Sequence, residues 1–196
     1  MVSPRNVAVF LYCASILEEK TYYMYYELSK KIEDPTVRSW MLSIAHDSFR
    51  HSSLFREISD DIIDKLPKEK ECRKGLKDAW ENNEILSEEI ANKSVFDSQN
   101  LVELAEKLAI FEYSLSEAYS TLVDLQTLQF MSYKVYISYG IDMEYAKDVF
   151  ESIIEDEKNH RAILFKMIEF LTEHDEDKNP KFKYQRPDAW YPPPRQ

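Results

Sequence analysis

Two glycines in 196 residues, Gly75 and Gly140, leave this chain almost without the residue that tight hairpin turns and bulges draw on. Long stretches instead repeat apolar residues at helical spacing, and strand-like alternation is scarce. The fold class these features predict is all-α. The length suits one domain, and 44% hydrophobic residues are enough to fill its core.

The spacing predicts a first helix from about Pro4 to Lys31, with Val9, Ala14, Leu17, Tyr22, Tyr25 and Leu28 on an inward stripe. Asp34 can cap a second helix and Pro35 can open it, because the first helical position needs no N–H. That helix runs to about Asp60 through Trp40, Ile44, Phe49, His51, Phe55 and Ile58, antiparallel to the first. Residues 61–99 are more charged, with Leu66, Leu76, Trp80, Ile85, Leu86 and Ile90 marking one or two short helices in a crossover. A third long helix starts near Asn100 and carries Leu104, Leu108, Phe111, Glu112, Leu115 and Tyr119. Gly140 and Asp142 read as a stop and a fresh cap, with residues 130–141 as an overshoot or an extra element. A fourth helix runs from Met143 to Leu171. Residues 173–196 form a Pro-rich tail whose Trp190 and Tyr191 are expected to dock on the bundle or on a neighbouring subunit.

Charge narrows the partners. A formal net charge of -11 repels phosphate backbones, so nucleic acid is not expected. The apolar run from Val7 to Leu17 follows Arg5 as in a short signal peptide, yet it lacks a small-residue cleavage site and flows into Glu18 at helical spacing. It is too short to span a bilayer. Cys13 and Cys72 make no disulfide framework and no Cys-x-x-Cys pair, which fits a reducing, cytoplasmic setting.

The chemistry concentrates in Glu157-Lys158-Asn159-His160. Residues three apart share a helix face, so Glu157 and His160 reach one point. The first hairpin supplies a matching frame: Glu18 lies 16 residues before Asp34 and Ser48 lies 14 after it, level to about 3 Å at about 1.5 Å per residue. His51 follows Ser48 by one turn. Glu112 is a lone acid on an apolar stripe, and Glu18/Tyr25 is echoed seven residues apart by Glu112/Tyr119. Singly, each buried His or Glu reads as a satisfied core residue; in a repeated frame they read as a metal site.

With Glu33-Asp34-Pro35 and the run Ala45 to His51, the stretch from about residue 8 to 172 resembles the rubrerythrin branch of the ferritin-like superfamily. The resemblance implies a left-handed four-helix bundle with a long crossover between helices two and three. It implies the metal ligands Glu18, His51, Glu112, Glu157 and His160. Tyr25 and Tyr119 read mainly as core tyrosines, with a phenol within reach of the site as the alternative. It also implies iron, or manganese or zinc, in up to two positions, and a reaction with O2 or peroxide in which a separate donor supplies electrons. A homo-oligomer is expected. Two departures stand out: no rubredoxin-like Cys-rich module follows the bundle, and Ser48 stands where the family has a bridging carboxylate. Asp47, four residues before His51, is the candidate substitute. The expected activities are therefore peroxide- or O2-dependent oxidoreduction, metal holding without turnover, or a degenerate scaffold. The half-site with Glu112, Glu157 and His160 is expected to fill before the one with Glu18 and His51.

Overall fold

The computed structural model describes residues 4–60, 63, 65–124 and 143–176, and among these every regular element is a helix. They are α1 (Pro4–Ser29), α2 (Pro35–Asp60), α3 (Glu69–Gly75), α4 (Lys77–Asn92), α5 (Ser98–Asp124) and α6 (Met143–Glu176).

The turn between α1 and α2 forms for the reason its sequence suggests. One Asp34 carboxylate oxygen accepts the N–H groups of Thr36 and Val37 at 2.8 and 3.0 Å, directly after Pro35 takes the first helical position. Such a cap is worth about 1 kcal/mol. Arg38 reaches back and donates to the Ile32 and Glu33 carbonyls, which closes the loop.

Side-chain contacts fix the directions of the four long helices. Ser52 Oγ donates to the Ser15 carbonyl and Tyr22 packs on Phe49, so α1 and α2 are antiparallel. Phe55 meets Phe150 and Trp40 meets Phe170, so α2 and α6 are antiparallel too. Tyr25 reaches Glu112 and Tyr119 reaches Glu18, which sets α1 against α5. It follows that α5 runs parallel to α2, and the chain must return to the other end of the molecule between them. The segment with α3 and α4 makes that return. Asn83 Nδ2 on α4 donates to Thr21 Oγ1 at 3.2 Å, Trp80 is fully buried, and Lys31 Nζ donates to the Ile90 and Lys93 carbonyls at the end of α4.

The core lies between the long helices and includes Leu11, Leu17, Met41, Ile44, Phe55, Leu108, Phe111, Leu115, Phe150 and Leu164. The Val7–Leu17 run is the first half of α1, with Val7, Leu11, Ala14 and Leu17 buried in this core. No helix of the described residues is long and apolar enough to cross a membrane.

Three expectations need correction. Phe49, one of the apolar residues that mark α2 in the sequence, is 55% exposed, while its neighbour Ser48 takes the inward position. Ile85 is likewise exposed, on the outer face of α4. Cys13 and Cys72 were expected to stay unpaired; they form a disulfide joining α1 to α3 across 59 residues, both ends buried. Sequence separation hid this pair, since only the crossover brings α3 back against α1. Residues 130–141, with the expected stop and cap at Gly140 and Asp142, and Trp190 and Tyr191, expected to dock, lie outside the described residues.

Candidate metal centre

Glu18 from α1, His51 from α2, Glu112 from α5, and Glu157 and His160 from α6 converge inside the helical bundle, each 0–1% exposed. They form two groups of three, Glu18/His51/Glu157 and Glu112/Glu157/His160. Within each group one ligand-type atom per residue lies within 4.8 Å of the others, a spacing that a single cation can span. Glu157 belongs to both groups. One of its oxygens is 3.0 Å from His51 Nδ1 and the other 3.5 Å from His160 Nδ1.

The two histidines are held from outside by a crossed pair of carboxylates. His51 Nε2, on α2, faces Asp156 on α6 at 3.2 Å, and His160 Nε2, on α6, faces Asp47 on α2 at 3.3 Å. A carboxylate only accepts, so each Nε2 carries the proton and each Nδ1 is turned inward. Arg50, half exposed, ties the two orienting groups together: its Nη2 donates to Asp156 at 2.6 Å and lies 3.2 Å from Asp47. The carboxylates have their own donors. Tyr119 Oη donates to Glu18 at 2.5 Å and Tyr25 Oη donates to Glu112, both phenols buried among these charges.

Four atoms that face this cluster lack a well-aligned hydrogen-bond partner among the described residues: Glu18 Oε2, His51 Nδ1 and both oxygens of Glu157. Each such atom costs about 1–3 kcal/mol when it is left unsatisfied in a protein interior. All four are of the kinds that bind divalent iron, manganese or zinc. The residues present therefore fit a cation, and the buried Glu and His side chains are able to hold one.

Protons take part of that load in the metal-free protein. Burial, together with the charge on Glu157, pushes Glu18 up to about 7 and Glu112 up to about 8. Burial would also push Glu157 up, but its pairing with His160 and His51 holds it well below the usual carboxylate range. Burial alone would lower His51; its pairing with Glu157 and the charge of Glu18 outweigh this and raise it to about 9. Burial and the Glu112 charge raise Tyr25, and burial and the Glu18 charge raise Tyr119, so both phenols keep their protons.

All five residues expected as ligands meet in this cluster, and Ser48 is buried one turn from His51. Asp47 is in neither three-residue group. It was considered as a stand-in for the bridging carboxylate; its direction on α2 instead takes it outward, 36% exposed, to His160 Nε2 and Arg50. Tyr25 and Tyr119, read mainly as packing residues, are bonded to the carboxylates. Sequence reasoning missed Asp156 and Arg50. A signal for Asp156 existed, because Asp47/His51 and Asp156/His160 repeat the same four-residue spacing.

Comparison with known proteins returned no match: no family model, no curated protein and no solved structure.

Proposed function

We propose that this chain is a ferritin-like four-helix bundle whose buried cluster holds two divalent metal ions, iron or an iron–manganese pair, for reaction with peroxide or O2. The observation that supports it most is Glu157. A carboxylate held ionised in the interior, with each oxygen turned to the Nδ1 of a different histidine, is costly in a purely structural core and apt as a bridge between two cations. Bound iron would supply the redox chemistry. The protein's own part is to fix both histidines through Asp47 and Asp156 and to anchor Glu18 and Glu112 through Tyr119 and Tyr25. Phe55, packed on Tyr119 and on Phe150, belongs to the apolar core that buries the cluster. Electrons would come from a separate donor.

A second reading, metal holding without turnover, draws on Ser48, since the centre has three buried glutamates for four positive charges. The test is metal content per chain with anomalous scattering at the iron and manganese edges, followed by peroxide-dependent oxidation of bound Fe(II). Up to two metals per chain are expected, and Glu157→Ala should empty both positions because it belongs to both groups. Chelator-free protein that takes up no divalent metal would overturn both readings; metal uptake without peroxide reactivity would leave only the second.

A further inference from the structure

Resting on the two-metal reading above, we propose that the centre takes an exogenous monocarboxylate beside Ser48, in place of a bridging glutamate that this chain does not encode. The register of Ser48 is pinned from both sides. Asp47 on α2 and Asp156 on α6 have equivalent roles, each bonded to the opposite histidine, and His51 and His160 are equivalent in turning Nδ1 inward. Ser48 sits between Asp47 and His51 as Glu157 sits between Asp156 and His160. By that symmetry Ser48 is the partner of the one residue that serves both halves, and it is buried at 1% exposure.

Its side chain ends at Oγ, where a glutamate would continue through Cδ to two oxygens. Those last three atoms are the heavy atoms of formate. The charge count asks for the same thing. Among the groups that can touch the cations, Glu18, Glu112 and Glu157 bring three negative charges to two divalent ions; Asp47, Asp156 and Arg50 lie one layer out and are partly exposed, so the buried shell itself favours a monoanion over water. Ser48 Oγ–H can donate to that anion, whereas a cation would meet only its weak acceptor lone pairs. Glu18 Oε2 on α1 and His51 Nδ1 on α2, one turn along from Ser48, both lack a well-aligned hydrogen-bond partner among the described residues. The small carboxylate would thus complete the half-site of α1 and α2, whose own helices supply two ligands against the three from α5 and α6.

The experiment is Mn(II) titration of the metal-free full chain in a sulfonate buffer, with and without sodium formate and with sodium chloride at equal ionic strength. Stoichiometry and the electron paramagnetic resonance of coupled Mn(II) pairs are the readouts. Formate, but not chloride, should tighten the second Mn(II) about tenfold or more, the scale of one charge-assisted contact, and bring out the coupled-pair signal. Ser48→Glu should bind two Mn(II) without formate and lose the formate effect; Ser48→Asp, a smaller change, should lose most of it. Acetate and longer acids at the same concentration report how large a carboxylate fits. Wild-type protein that fills both positions without formate, or a formate effect that persists in Ser48→Glu, overturns this proposal and leaves the metal centre standing. Mn(II) that fails to bind under every condition, in wild type and in both variants, overturns the metal centre itself.

Discussion

Glu157 shows how one buried carboxylate sets the protonation of the four candidate ligands around it. With no metal, its negative charge is balanced by protonated His51 and His160, and protons on Glu18 and Glu112 keep further negative charge away from it. The consequence for stability has a definite sign. Glu18 and Glu112 are raised from 4.5 to about 7 and about 8, so their contribution is full below 4.5 and lost as pH rises to those values. His51 is raised from 6.5 to about 9, so its contribution is lost between those values. Glu157 is lowered, and its contribution is lost only on acidification below 4.5. Metal-free protein should therefore lose stability between pH 5.5 and 8.5. A net difference of one proton over two pH units is about 2.7 kcal/mol, which is roughly 5–10 °C in Tm for a domain of this size. Bound cations displace these protons, so the loaded protein should show the opposite or a flat trend. Thermal melts with chelator and with Mn(II) at both pH values check this, and a chelated protein equally stable at pH 8.5 would contradict it.

At the scale of elements, the fold was legible wherever local chemistry determined it. Pro35 with the Asp34 cap set the start of α2 correctly, and the Glu-x-x-His spacing on α6 located half of the candidate site. What escaped notice depended on contacts between elements that are distant in sequence. Arg50 reads as a surface residue until α6 brings Asp156 to it, and Phe49 reads as core until its neighbour Ser48 takes the inward position. The Cys13–Cys72 bond is the strongest example, because nothing local says that α3 folds back onto α1. This bond fastens the crossover. Closing a loop of 59 residues stabilises by about 4 kcal/mol in the chain-entropy account, and measured values run to about half of that. Cys13→Ser with Cys72→Ser should accordingly cost roughly 2–4 kcal/mol in urea melts. Backbone hydrogen exchange should quicken first in α3, a helix of only 7 residues with little other packing. A double variant as stable as the parent would mean that the bond contributes nothing to holding α3.

Among the described residues the long helices form two antiparallel pairs, α1/α2 and α5/α6, closely packed within themselves and joined across the core by side chains and by α4; each pair is a hairpin in this sense. The two groups of candidate ligands stand differently to that division. Glu112, Glu157 and His160 all belong to α5/α6, whereas Glu18 and His51 of α1/α2 share their group with Glu157 of α6. A cation in the first group therefore ties one hairpin to itself; a cation in the second ties the hairpins to each other. Each bound at a free concentration of about 100 times its Kd adds about 2.7 kcal/mol against any opening that destroys its site. Separation of the hairpins destroys only the second. Hydrogen exchange during stepwise Mn(II) loading should show this in two stages. If the α5/α6 group fills first, the first equivalent slows exchange in α5 and α6 by up to about a hundredfold and leaves α1 and α2 almost unchanged. The second equivalent then slows all four long helices. In Glu18→Ala/His51→Ala protein the first stage should persist and the second should vanish. Uniform protection of all four helices by the first equivalent would mean either that the shared group fills first or that the hairpins never part without global unfolding. The double variant separates these cases, because the first loses its protection there and the second retains it.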